Sequence, residues 1–176
     1  MRDDETSTGR RTLLKALIGL GGGLIAALVA VPGVGAMIDP LLRRRASGGD
    51  FVPVGDASAL DASGPVALQV IGERVDAWTR SPGVLLGTVW VQRRGDGELL
   101  AFTAECPHLG CRIGYDDDEQ KFSCPCHESR FGLDGGVESG PSPRAMDTLE
   151  ARVRDGQVEV RFKRFRTQTD ERSEIG

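Results

Sequence analysis

Residues able to ligate a soft metal are scarce in this chain of 176 residues, which has four cysteines and two histidines. Aromatic residues are scarce too, at 5%, so valine and leucine must supply most of any core. A basic excess is missing: 22 Lys and Arg against 26 Asp and Glu leave a formal charge of −4, which gives no reason to expect a nucleic-acid partner. The length allows one anchored domain of ordinary size and excludes two large ones. Beyond residue 50 there is no convincing amphipathic helix, except around Asp56 to Leu60, and that lack points to a head made of strands.

What is present is concentrated. All four cysteines and both histidines lie in the twenty-two residues from Cys106 to His127. The window opens with Cys106-Pro107-His108-Leu109-Gly110-Cys111 and closes with Cys124-Pro125-Cys126-His127. Thiolates suit zinc and iron–sulfur clusters, and imidazole suits zinc and iron. As ligands these residues form two pairs, Cys106-x-His108 and Cys124-x-x-His127, with fifteen residues between them. Cys111 and Cys126 are left over, one beside each pair, and joining them would pin loop to loop. Two readings stay open on the residues alone. One is a zinc site of two cysteines and two histidines, and the other is a two-iron cluster with cysteines on one iron and histidines on the other. Unrelated core thiols would not cluster in this way.

The two boxes resemble those of the Rieske iron–sulfur proteins, whose high-potential members carry Cys-Thr-His-Leu-Gly-Cys and Cys-Pro-Cys-His-Gly-Ser. The first box here departs at Pro107, and the second, ending Glu128-Ser129, departs at Glu128. The resemblance implies one [2Fe–2S] cluster, with Cys106 and Cys124 on one iron, His108 and His127 on the other, and a disulfide between Cys111 and Cys126. Centres of ring-hydroxylating dioxygenases usually lack that cysteine pair. The resemblance also implies a hydroxyl of Ser129 on a bridging sulfide. It implies a partner-facing tip at Leu109 and a rigid cover from Gly140-Pro141-Ser142-Pro143, which would otherwise be an ordinary turn. High-potential members have tyrosine where this chain has Phe131. Losing that hydroxyl and gaining the Glu128 carboxylate should both lower the potential, unless Glu128 is only a solvated surface charge.

The N-terminus resembles a twin-arginine export signal, with Arg10-Arg11 ahead of an apolar run and Lys15. Ala16 to Ile38 is a stretch of 23 uncharged residues containing six glycines and Pro32. As a helix it would be about 34 Å long, at about 1.5 Å per residue, enough to span a membrane. Pro32-Gly33-Val34-Gly35 is expected to bend or end that helix. A cleaved leader ending near Val34-Gly35-Ala36 is the competing reading, but the length favours an uncleaved anchor. Arg43-Arg44-Arg45 would then lie outside, against the usual positive-inside bias, an objection weakened where a domain is exported already folded. Export after assembly suits a head that needs its cluster loaded in the cytoplasm and its disulfide kept in an oxidising compartment.

The expected organisation is therefore a cytoplasmic tail at 1–15 and a single transmembrane anchor at 16–38. A flexible linker follows at 39–50, in a place where the family has a hinge. Residues 51–166 form an all-β Rieske-type head of antiparallel sheets with a small cluster-binding subdomain at about 104–144, and a polar, frayed tail ends the chain at 167–176. Val66–Val70, Val84–Gln92 and Glu98–Phe102 read as strands, with Gly95-Asp96-Gly97 turning the last two into a hairpin. Leu149, Ala151 and Val153 alternate with charges, as do Val158, Val160 and Phe162. Asp155-Gly156 between them predicts a two-residue hairpin with one buried face. The acidic run Asp116-Asp117-Asp118-Glu119 reads as a solvated turn rather than a docking patch for a basic cytochrome.

Read through the resemblance, the chain is the iron–sulfur subunit of a quinol:cytochrome c oxidoreductase in the cytoplasmic membrane, with its head on the outer, periplasmic side. Its partners would be cytochrome b and a c-type cytochrome. It would take one electron and one proton from quinol, menaquinol being favoured, with His108 and His127 as the groups in contact, and it would not turn over alone. The alternative is the small Rieske subunit of a periplasmic molybdenum oxidase of the arsenite oxidase type. A stand-alone ferredoxin is disfavoured by the apolar segment.

Overall fold

The computed structural model describes residues 3–42, 51–61, 64–75 and 79–175. The basic run Arg43–Arg45 and the linker Ala46–Asp50 lie outside the described residues. The chain divides into an N-terminal helical unit and a β unit.

Helix α1 runs Asp3–Leu42. Its stretch Gly9–Asp39 is 31 residues long with a mean hydropathy of 2.1, and it could span a membrane. Side chains from Gly9 to Ile38 are exposed, the leucines, isoleucines and valines included. A bare apolar surface of this length suits hydrocarbon rather than water. Of the bend or end expected at Pro32, the end is not there: the helix continues through it to Leu42. Pro32 removes one backbone donor, whereas ending the helix would strand several carbonyls and amides. In apolar surroundings the smaller loss wins.

The β unit begins with β1 (Val52–Asp56), a short 3-10 turn (Ala57–Asp61), β2 (Val66–Val75), β3 (Arg80–Arg93) and β4 (Leu99–Thr103). The turn falls where the sequence allowed a helix; its entry is capped by Asp56, whose carboxylate accepts from the Ser58 amide and hydroxyl. Later come β9 (Thr148–Arg154) and β10 (Gln157–Arg161). Together these form a six-stranded antiparallel sheet in the order β1-β10-β9-β4-β3-β2. Alternation along the strands turns Val70, Val89, Val91, Ala101, Leu149, Val158 and Val160 inward, where Leu60 and Phe165 join them. Fully burying a valine- or leucine-sized side chain contributes about 1.5–3 kcal/mol, so this aliphatic set is the main source of stability for the base. The β9–β10 hairpin has the register implied by its turn, Arg154 facing Gln157. Asp155 at φ 51° and Gly156 at φ 78° both take left-handed conformations, as this turn type requires.

Strands β4 and β9 are hydrogen-bonded neighbours, Ala101 facing Leu149, yet the chain between them leaves the sheet. It builds β5 (Gly114–Asp116), β6 (Lys121–Ser123), β7 (Arg130–Phe131) and β8 (Val137–Ser139), a four-stranded sheet in simple sequential order. A second core holds this insertion together: Phe102, Ile113, Phe122, Phe131 and Met146 packed with Cys106 and Cys124. Trp90 on β3 ties insertion to base by donating its indole N–H to the Ile113 carbonyl at 3.0 Å. The acidic run is the β5–β6 turn. There Asp116 accepts from the amides of Asp118 and Glu119, and Asp117 and Asp118 face solvent.

The end of the chain is not frayed. Arg164–Phe165 and Glu174–Ile175 pair as β11 and β12, and Phe165 is buried in the base core. A polar composition hid this, because the segment is held mainly by backbone and guanidinium hydrogen bonds rather than by apolar residues.

Candidate metal centre

Both ligand boxes fold as the same loop. In the first, the Cys106 amide donates to the Cys111 carbonyl and the Gly110 amide to the Cys106 carbonyl, each at 2.8 Å. In the second, the Cys124 amide donates to the Ser129 carbonyl at 2.8 Å and the Glu128 amide to the Cys124 carbonyl at 3.0 Å. Each neck is closed by strand-type pairing, Glu105 with Arg112 and Ser123 with Arg130. The loops meet at Cys111 and Cys126, which form a disulfide with Cα atoms 6.5 Å apart.

The fifth residue of each loop has a positive φ, 75° at Gly110 and 59° at Glu128. Glycine takes this conformation freely and glutamate does not. Left-handed backbone costs a non-glycine residue about 1–2 kcal/mol, while glycine loses about 0.5–1 kcal/mol more chain entropy on folding. Glu128→Gly should therefore stabilise the head by about 0.5–1 kcal/mol in denaturant titration; a loss of stability would show that the carboxylate has a compensating contact. Glu128 is exposed.

The remaining two cysteines are free and buried, Cys106 fully so. Burial, with Cys124 nearby, pushes the Cys106 thiol up to about 11. A thiol in that position ionises only with a strong positive charge beside it. The disulfide lies against Cys124: the sulfurs of Cys111, Cys124 and Cys126 are within 4.8 Å of one another. The two imidazoles also face one another, ring centroids 4.7 Å apart and nearly perpendicular. His127 is exposed and His108 half-buried. His108 Nδ1 is buried without a hydrogen-bond partner, a state that costs free energy unless something else occupies the lone pair. Two free thiols and two facing imidazoles carried on the same two loops, with one buried and unsatisfied ring nitrogen, are a donor set that could hold a cluster with mixed sulfur and nitrogen ligation.

Around these loops the other anticipated residues sort by depth. Ser129 and Phe131 are completely buried. Leu109, Pro141 and Pro143 are exposed. Gly140, at φ 92°, presses the covering loop onto Ser129, and Ser142 donates its amide to Ser129 Oγ at 3.2 Å. With that lone pair used, the Ser129 hydroxyl keeps its own proton to donate. Sequence reading missed Arg144 and Asp147, a nearly buried ion pair just past the covering loop. Two opposite charges three residues apart in a loop ordinarily mark a solvated surface, and only the fold reveals otherwise.

Residues 50–152 match the family model for the Rieske [2Fe-2S] domain. The chain belongs to the Rieske family. It is 31% identical over 162 residues to the menaquinol:cytochrome c reductase iron-sulfur subunit of Geobacillus thermodenitrificans, covering 90% of this chain and 94% of that one. The corresponding Bacillus subtilis subunit is 33% identical, covering 84% and 87%. The cytochrome b6-f complex iron-sulfur subunit of Gloeobacter violaceus is 31% identical, covering 88% and 83%. Among solved structures, a cyanobacterial plasma membrane Rieske protein of Synechocystis is 30% identical with a TM-score of 0.47, covering 62% of this chain and 97% of that one. Membership settles the choice that the donor set left open, and one Rieske [2Fe–2S] cluster, not zinc, is the cofactor of this domain.

Proposed function

We propose that this chain is the electron-transfer subunit of a membrane quinol:cytochrome c oxidoreductase, with Cys106, Cys124, His108 and His127 as the cluster ligands. The observation that carries the reading is end-to-end likeness. Apolar helix and head together align with subunits of menaquinol:cytochrome c reductases, covering 94% of the first of them. The head would lie on the outer side of the membrane. The hinge anticipated at 39–50 begins inside helix α1, which runs to Leu42, and the rest of it lies outside the described residues. Cytochrome b would supply the quinol site and a c-type cytochrome would take the electron, so the chain is an oxidoreductase subunit that is incomplete alone.

Bound between the two loops, the cluster supplies a one-electron acceptor whose neutral imidazole ligands hold its potential at about −150 to +300 mV, above the roughly −400 mV of plant-type ferredoxins. The histidines supply the rest. With Nδ1 of His108 given to the cluster, its other ring nitrogen would remain for a partner, as would that of the exposed His127. Either can accept a hydrogen bond from a quinol hydroxyl and hold the proton that leaves with the electron. Exposed Leu109, Pro141 and Pro143 would offer apolar contacts to a quinol pocket at the membrane surface. Ser129, buried and held by Ser142, keeps a hydroxyl proton that it would donate to a bridging sulfide, which would favour the more negative, reduced state.

Menaquinol is the favoured donor. It is the more reducing quinol, and two substitutions lower the potential here. Phe131 places a ring without a hydroxyl in the same buried group as Cys106 and Cys124, and Glu128 sets a carboxylate next to His127. Phe131→Tyr should raise the midpoint by roughly 60 mV, the equivalent of about 1.4 kcal/mol for one added hydrogen bond to the more negative state. An unchanged midpoint in redox-poised EPR would remove the argument. Glu128→Gly should shift it upward too, because a nearby negative charge opposes reduction.

Purification of the native complex from gently solubilised membranes through this chain tests the assignment. Haem b co-purifying with the chain is the expected result. Molybdenum in its place would overturn the assignment in favour of an arsenite-oxidase-type enzyme.

A further inference from the structure

We infer that the C-terminal segment Arg164–Ile175, anchored by Arg144, is a second bracket between the two ligand loops and positions them for the cluster. The inference rests on the proposed ligand set. The C-terminal part of the bracket lies past 152, where the match to the family model ends, while its Arg144 anchor lies within the matched residues.

The disulfide joins the loops at one side only. A second connection runs around the back, entirely through hydrogen bonds. From the second loop, Ser129 Oγ accepts the Ser142 amide at 3.2 Å, and the Ser142 hydroxyl donates to the Arg144 carbonyl at 2.8 Å. The Arg144 guanidinium holds Asp147 with two bonds, at 3.0 and 2.7 Å. It also donates to the carbonyls of Arg166, at 2.9 Å, and Thr169. Those two carbonyls belong to the C-terminal segment, which is closed on itself by β11–β12 pairing and by the Arg166 amide on the Ser173 carbonyl. Finally the Gln168 amide donates to the Pro107 carbonyl at 2.9 Å. Pro107 stands between Cys106 and His108, so this last bond reaches the first loop between its two proposed ligands.

Three properties make this path a restraint rather than a chance sequence of contacts. Its middle is shielded: Ser129 is fully buried, and the Arg144 and Asp147 side chains are only 9% and 5% exposed, so water competes little for the Ser142 and Asp147 bonds, although the bond to the Arg166 carbonyl is exposed. Its far end is fixed, because Phe165 is buried in the base core and Arg172 stacks over it while bonding the Thr148 carbonyl. It also holds Gln168 at φ 62°, a conformation unfavourable for glutamine. That backbone geometry is what presents the Gln168 amide at the bonding distance from Pro107. Arg144 and Gln168 are therefore positioning residues. Neither side chain is placed among the ligands, and both act by limiting how far the two loops can part.

The test uses the full-length chain in its native membrane complex. Gln168→Pro removes the donor and cannot adopt the left-handed φ, whereas Gln168→Gly retains both. Each is made with the disulfide present and in a Cys111→Ala, Cys126→Ala background. Cluster loss to an iron chelator is timed below the unfolding temperature, with the reduced-cluster EPR spectrum recorded. Gln168→Pro should speed cluster loss about fivefold, the factor that one net backbone hydrogen bond is worth, and should broaden or shift the EPR signal. Gln168→Gly should match the parent. Without the disulfide the same proline should accelerate loss by clearly more than fivefold, because restraints on one shared loop pair are not independent. Arg144→Lys, which keeps a charge for Asp147 but cannot fork to the two carbonyls, should act in the same direction. Parental rates and spectra in both Gln168→Pro and Arg144→Lys overturn the bracket, as do simply multiplying rate factors. If both variants unfold the base sheet, by circular dichroism, the segment serves fold stability alone and the inference falls. Cys106→Ser, run alongside, separates failure of the ligand reading from failure of the bracket. If the serine variant keeps its cluster, the ligand reading itself is wrong.

Discussion

A chain carrying serine in place of Cys106 will fold its six-stranded base and hold no cluster. The two halves of that expectation have separate physical grounds. Serine nearly matches cysteine in volume, and position 106 lies in the aromatic core of the insertion rather than the aliphatic core of the base. The base therefore loses no packing. The site loses its chemistry, because a serine hydroxyl ionises far less readily than a thiol, and burial already pushes the Cys106 thiol up to about 11. A group still harder to ionise in the same dry place remains neutral and cannot satisfy a ferric ion. Visible absorbance and the reduced-state EPR signal should vanish, while far-UV circular dichroism keeps its β signature. Cys124→Ser should behave identically. Replacing the bridged pair, Cys111→Ala with Cys126→Ala, should differ in kind: the cluster assembles but is shed faster, since the link between the loops is lost and not the ligands. Closing a loop of about this length by a disulfide is worth roughly 3 kcal/mol in the chain-entropy model. If the Cys106→Ser protein retained a full cluster complement, the ligand assignment would be wrong.

Much of this arrangement could be read from residues because its chemistry is local. The cysteines and histidines announce a metal site through scarcity elsewhere. Asp155-Gly156 fixes the last hairpin because two successive left-handed residues need those residue types. Alternation in β9 and β10 marks a half-buried sheet, although Val153, near the turn, is largely exposed. What stayed hidden depends on contacts distant in sequence and made by backbone groups. Nothing in Thr167 to Ile175 advertises that Gln168 will bond Pro107, since any residue except proline has the amide required. Arg144 is legible as a charge, but its burial is not. At Pro32, where a bend or an end is expected, the helix does not end, for a different reason: a local helix-breaking signal yields where the surroundings penalise every further unpaired backbone group.

Gly140→Ala is expected to be the most damaging substitution outside the ligands, although it adds a single methyl group. A Cβ at this position would lie 2.4 Å from Ser129 Cα, 2.8 Å from Ser129 N and 2.9 Å from the Glu128 carbonyl oxygen. All three are backbone atoms, so no rotamer change relieves the contact, and the covering loop must lift from the second ligand loop. The φ of 92° adds conformational strain. Strain and overpacking of this kind cost about 1–3 kcal/mol each, for a combined loss of about 3 kcal/mol or more and a fall of roughly 10 °C in melting temperature for a domain of this size. Gly97 supplies the control. Its φ is 87°, nearly the same, but nothing lies within 4 Å of its absent Cβ, so Gly97→Ala reports the strain alone and the difference between the two variants measures the close approach. Lifting the loop also withdraws the Ser142 amide from Ser129 Oγ, freeing that hydroxyl to turn away from the cluster and admitting water. The midpoint potential should therefore fall in Gly140→Ala and stay unchanged in Gly97→Ala. Equal destabilisation in the two variants, or an unmoved midpoint in the first, would mean that the covering loop neither presses on Ser129 nor orients it.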